Sequence, residues 1–249
     1  MGNGTLSNLK SVITQPRDMH LSSDLQTQTR SLSPRRAVAA FIDEATFPCV
    51  GAKAARNKGR MRFAEYASLG FPLEATSLCR DLRDFSDEFP DPGVSPVSFV
   101  AVFRDQLVEE KSFETALWRH LQLMHEHDRH DFKWDSSVDS NPASHDFSFS
   151  IGGRAFFVVG LHKTSSRVSR RAPFPCLVFN FHNQFEALKS SGKYQSMQTV
   201  IRARDIKLQG SINPGLEHFG AASEARQYSG RAVEADWRCP FSAKETNNA

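Results

Sequence analysis

Two histidines and three arginines gather in the middle of this 249-residue chain. His162 closes one apolar run, Arg167, Arg170 and Arg171 follow it, and His182 closes the next apolar run. A guanidinium pairs with a carboxylate through two parallel N–H donors, so these arginines suit an anionic ligand. The bland alternative is a solvated basic loop. His162 can donate a hydrogen bond or carry a proton near neutral pH, or it can simply finish a strand. His182 can join the same site or help to cap the helix after it. Glu224, Arg226, Gln227 and Tyr228 form a second polar group. Glu224 could hold a cationic nitrogen, or the four could be an ordinary helix surface. His120, His125, His127, Asp128 and His130 have spacings that can bind metal. Histidines also sit well at a helix C-terminus through the dipole, which favours a structural role there.

The elements that must position these groups follow from apolar periodicity. Ser33-Pro34 is a cap followed by a proline at the first helical position, and Val38, Phe41 and Ile42 share a face. That helix is expected to reach Phe47-Pro48. A second short helix follows Cys49 and runs to Gly59. Residues 61–94 show no clean period. Residues 95–103 read as a strand, and Phe113, Leu117, Leu121 and Met124 place a helix over 112–128. After a loop at 131–145, two apolar runs meet at Gly152-Gly153, a hairpin signature. A third run spans Cys176 to Phe181. Asn183 with Glu186 has capping-box spacing, Gly192 is a stop, and another helix covers 194–208 with Met197, Val200 and Ile201 on one face. A turn is expected at Asn213-Pro214-Gly215. Hairpin strands between helices favour an α+β fold, a single domain with a mainly antiparallel sheet packed by several helices.

Composition narrows the classes. The length suits one domain. Residues 1–32 are polar and read as a disordered tail, residues 33–241 as the folded domain, and 242–249 as a polar C-terminal tail. A net charge of +3 gives little support to a nucleic-acid binder. No apolar run is long enough for a membrane span, and no secretory segment opens the chain. The four cysteines form no C-x-x-C pair, and a cytoplasmic setting with reduced thiols is expected. Twenty phenylalanines supply apolar area for a core or a pocket. No glycine-rich nucleotide motif is present.

Several separate stretches resemble the YqcI/YcgG family and occur in its order: Phe47-Pro48-Cys49-Val50-Gly51-Ala52-Lys53, the hairpin block, Gly160-Leu161-His162, Ser165-Ser166-Arg167, Gln209-Gly210-Ser211-Ile212-Asn213-Pro214, Ser223 to Gly230, and Trp237-Arg238-Cys239-Pro240-Phe241. Within it the chain is similar to the heme-dependent N-hydroxylases of guanitoxin biosynthesis. Two positions depart from the pattern: Lys163 stands where Pro is expected, and Ala172 where Phe is expected. Both flank the arginines and bear on substrate identity.

The resemblance implies heme b and oxidation of a nitrogen on a small amine, guanidine or amino-acid-derived substrate. An external electron donor is implied too, because no flavin or nicotinamide motif accompanies these residues. Thiolate ligation favours O–O cleavage. That makes Cys239 the first candidate for the iron, with Cys49 second and His162 a third option. Pro240 fixes the backbone beside Cys239, and Gly51 lets the backbone approach closely beside Cys49. The alternative for either sulfur is core packing, the role expected of Cys79 and Cys176. Arg167, Arg170, Arg171, Arg226 and His182 then become candidate cofactor partners, and His162, Glu224 and Tyr228 candidate catalytic groups. The competing readings are a non-catalytic heme-binding or redox-sensing protein, and a heme-free binder of anionic metabolites.

Overall fold

The computed structural model describes residues 1, 32–107, 109–211 and 222–244. All the elements below belong to the unit Ser33–Ala249. The tail expected over 1–32 and the turn expected at 213–215 lie outside the described residues, apart from Met1 and Leu32.

Helix α1 spans Pro34–Asp43, and Ser33 Oγ accepts from Arg36 N as its cap requires. It stops four residues before Phe47, earlier than the proline alone would dictate. Helix α2 spans Val50–Asn57. Strand β1 (Met61–Tyr66) and helix α3 (Pro72–Glu88) fill the region that showed no clean period. Strand β2 is Ser98–Phe103 and helix α4 Glu110–Asp128. Strands β3 (Phe149–Ile151) and β4 (Arg154–Leu161) form the expected hairpin, turning at Gly152 and Gly153 with φ of 61° and 72°. A 3-10 turn over Val168–Arg170 leads to β5 (Cys176–Phe181). Helix α5 is His182–Ser190, α6 is Lys193–Gln209 and α7 is Ala225–Tyr228. The capping box at Asn183 does not form. The chain turns straight from β5 into α5, so Phe181 occupies the cap position and Asn183 is already helical.

The strands make one sheet in the order β1-β2-β5-β4-β3. Only β1 and β2 pair in parallel; the other three pairings are antiparallel. The fold is a single-domain α+β arrangement with a mainly antiparallel sheet. Alternation along the central strands divides it into two apolar faces. Phe99, Ala101, Phe103, Phe156, Val158, Leu177, Phe179 and Phe181 face α3 and α4. Val100, Val102, Leu161 and Cys176 face α1 and α2. Both faces of β2 are covered, and all six of its residues are buried. No helix among the described residues is long and apolar enough to cross a membrane.

The C-terminal segment packs on the first face. Phe241 and Tyr228 join the aromatic core there, and Tyr228 lies parallel to Trp118 at 5.7 Å. This is where β4 needs Gly160. A Cβ at that position would lie 2.7 Å from Tyr228 O and 2.7 Å from Phe113 Cε1. The carbonyl belongs to backbone and cannot rotate away. Gly160→Ala should therefore lower stability by about 1–3 kcal/mol, the usual cost of overpacking, read as a drop in the urea midpoint at an unchanged slope.

Candidate functional site

The second face of the sheet does not close completely. Between it and helices α1, α2, α5 and α6 lies a mostly apolar cavity of about 270 Å³. Val100, Val159 and Val178 form its floor, Phe47 and Phe185 its sides. Helix α6 roofs it with Tyr194, Met197, Gln198, Ile201, Arg202 and Asp205. Their spacing is that of one helical face. Met197 and Ile201 were expected to share a face with Val200, but Val200 is 42% exposed and turned away.

Cys49 lines this cavity. It is the N-cap residue of α2, and its Sγ accepts from Ala52 N at 3.4 Å. Burial pushes its thiol up from the ordinary value, while the amides of Ala52 and Gly51 and the nearby Arg204 act in the opposite direction. Cys239 lies on the other side of the sheet. It packs with Trp237 against the aromatic core, and burial pushes its thiol up to about 12. The two sulfurs considered for one iron therefore sit on opposite faces. Cys79 and Cys176 are fully buried, as expected of fillers.

The three clustered arginines separate as well. Arg167 is buried in an ion pair with Asp205 of α6 and also donates to Ser211 Oγ at 3.1 Å. Arg171 is exposed and donates to Ser165 O at 2.7 Å. Arg170 alone of the three borders the cavity. His162 is fully buried, stacked on Phe113 at 4.3 Å, with Nδ1 3.2 Å from Thr164 Oγ1 and Nε2 4.0 Å from Glu110 Oε1. Burial holds it down at about 4. Lys163 beside it is exposed, whereas Ala172 is buried against the α1–α2 face.

Glu224, Tyr228 and His182 meet, but away from the cavity lining. Glu224 Oε2 accepts from Ser148 Oγ at 3.0 Å and from Tyr228 O–H at 3.1 Å, and its Oε1 lies 3.5 Å from His182 Nδ1. Tyr228 Oη also accepts from Phe149 N at 3.2 Å. Burial raises the carboxyl of Glu224, with His182 the largest opposing influence. This network fastens α7 to the β3–β4 hairpin. Arg226 donates to the carbonyl oxygens of Glu234 and Trp237 and so holds the C-terminal turn.

The histidine-rich end of α4 is also internally engaged. His120 Nδ1 accepts from Gly70 N, His125 Nε2 from Lys244 N, and Asp128 from Gly152 N. Among the described residues no group of three or more His, Cys, Asp or Glu could hold a metal ion.

The family model for the YqcI/YcgG family matches residues 38–242. The chain belongs to this family. No curated protein and no solved structure matched it. In this YqcI/YcgG protein the matched region contains every element from α2 to α7, together with the whole cavity wall. Sequence reasoning missed Asp205, Asn180 and Gln184 as wall residues. For Asp205 a signal existed: it continues the Tyr194–Met197–Ile201 face of α6 by one further turn.

Two outcomes are expected. Helix α6 buries a single residue, Asp205. Asp205→Asn leaves Arg167 buried without its counter-charge, at a cost of about 3–5 kcal/mol. Amide exchange should then quicken across α6 while β5 stays protected, measured by hydrogen–deuterium exchange. His162 has an ordinary value of 6.5 and is held at about 4 in the fold, so the unfolded chain takes up the proton first. Its contribution to stability is complete above pH 6.5, falls as pH drops to 4, and is constant below that. His162→Leu should remove up to about 1.4 kcal/mol per pH unit from that slope, seen in urea titrations at a series of pH values.

Proposed function

We propose that this protein is a heme-dependent N-oxygenase, acting on a nitrogen of a small amine, guanidine or amino-acid-derived substrate, with its heme in the cavity beneath α6. The observation that carries this reading is Cys49: a thiol at a helix N-terminus, on the wall of a mostly apolar cavity, within the family motif Phe47-Pro48-Cys49.

The residues fit a heme in chemical kind. Phe47, Met61, Val100, Val159 and Leu161 offer an apolar slot, and Cys49 offers the sulfur. The volume is the demanding part. About 270 Å³ lies just under the range of roughly 300–1,000 Å³ usual for sites that take organic ligands. Admission of a macrocycle therefore requires α6 to give way, and α6 is held by few buried groups. Cys239 lacks these surroundings, so the preference between the two sulfurs passes to Cys49.

When bound, a thiolate-ligated heme supplies oxygen activation, because the sulfur pushes electron density onto iron. The chain's own part is to present that sulfur and line the site with apolar groups. The Ala52 amide points at Sγ and favours its charged form, against the larger effect of burial. The valine floor and the aromatic sides exclude water. Ser98 donates to Asn180 Oδ1 at 2.7 Å, which fixes a neutral amide in the wall. Electrons come from a separate donor protein, and the expected setting is cytoplasmic.

Reconstitution with hemin tests the reading. Wild-type protein should develop a Soret band and, once reduced under carbon monoxide, the red-shifted band of thiolate ligation. Cys49→Ala should lose that signature and Cys239→Ala should keep it. Absence of any Soret band after titration would sink the proposal. A Soret band without substrate-dependent oxygen or peroxide consumption would favour a heme-binding sensor instead.

A further inference from the structure

Arg170 has no role in the reading above. It ends the 3-10 turn, is 7% exposed, and borders the cavity beside Gln227. Its Nη1 donates to the carbonyl oxygens of Gly160, Gln227 and Tyr228 at 3.4, 2.9 and 3.4 Å. All three acceptors are neutral. Among the described residues Arg170 makes no ion pair, and neither Nε nor Nη2 has an acceptor. The carboxylate with most influence on it, Asp205, is already bonded to Arg167. Arg202 adds a second cation to the cavity wall, where Asp205 is the only carboxylate among the lining residues.

A buried guanidinium without a counter-charge is unfavourable by several kcal/mol. Burial lowers Arg170 only to about 10, so it stays cationic at neutral pH. The chain nevertheless makes room for it. A Cβ on Gly230 would lie 2.5 Å from Arg170 Cδ, so a glycine there leaves the side chain its channel. The two donors left over, Nε and Nη2, are the adjacent pair that matches the two oxygens of a carboxylate.

We propose that the cavity selects an apolar molecule that carries a carboxylate, and that Arg170 receives this group. The carboxylate can belong to a cofactor side chain or to the substrate, since the recognition chemistry is the same. The inference uses the same cavity as the heme reading but does not require iron.

The test begins with heme-free protein titrated calorimetrically with 4-phenylbutyrate and with its neutral counterpart 4-phenylbutyramide. The carboxylate should bind about ten- to hundredfold more tightly, the usual worth of a charge-assisted pair. Equal affinities overturn the proposal. Arg170→Gln should abolish the preference. Because that variant also gives up bonds that hold α7, Met197→Trp is measured beside it. It fills the cavity from the half-exposed roof and should weaken both probes. Undiminished phenylbutyrate binding in Met197→Trp would put the anion elsewhere and overturn the proposal. Repeating the titration on hemin-loaded protein identifies the source. Exclusion of phenylbutyrate together with weaker hemin binding by Arg170→Gln assigns the site to the cofactor's own carboxylate, and a retained preference assigns it to a substrate. If hemin never binds, the oxygenase reading fails while the result for Arg170 stands.

Discussion

The pleat of β2, β5 and β4 governs what can meet in this protein. Each central strand sends alternate side chains to opposite faces, and both faces are covered by helices. One face closes into an aromatic core. The other keeps a gap, floored where three neighbouring strands each contribute a valine. Val100, Val159 and Val178 are too short to reach α6 across the space that Phe99 and Phe179 fill on the reverse side. Cavity and core are thus two consequences of one alternating pattern, and sequence neighbours such as Val178 and Phe179 serve different ends.

The same separation sorts the polar groups. Glu224, Tyr228, Ser148 and His182 lie with the hairpin and the C-terminal segment, where every bond ties one part of the chain to another. Arg167 does the same between the 3-10 turn and α6. These groups are largely buried and bonded to distant parts of the chain, which suits rigidity. Cys49 and Arg170 differ from them because each borders space, and they approach it from different elements, α2 and the turn before β5. Polar and sulfur-bearing groups in this fold are therefore divided between side chains that hold the walls and the few that face the cavity.

Much of the fold was legible in the sequence, and the particular failures are physical. The hairpin at Gly152-Gly153 and the run Cys176–Phe181 could be read directly, because buried strands are continuous in apolar residues. Helix α3 was missed although Ala75, Leu78, Cys79, Leu82 and Phe85 make a clear face. Small and sulfur-bearing members diluted that stripe among acidic and basic neighbours. Strand β1 was missed because it is an edge strand with Arg62 and Glu65 among its six residues. The site was legible only as a list of residue types. Arg167, Arg170 and Arg171 are close in sequence and were expected to act together, yet a tight turn points them to three different surroundings. Cys49 and Cys239 could not be ranked without knowing which face of the sheet each would join. The partner of Arg167, Asp205, lies 38 residues further on, beyond the reach of any local pattern.

The acceptors of Arg170 carry a consequence for biosynthesis. Two of its three carbonyl partners, those of Gln227 and Tyr228, come 57 and 58 residues after it in the chain. At translation rates of roughly 5–20 residues per second, several seconds pass between the emergence of this arginine and of the backbone that receives it. During that interval β4 and β5 can already pair, but the guanidinium has only Gly160 O among its eventual partners. The inner wall of the cavity is therefore finished late, when α7 docks over β4. A nascent chain that has completed its sheet still lacks a finished cavity wall, and the cavity takes its final form only after synthesis of the segment around Gly230.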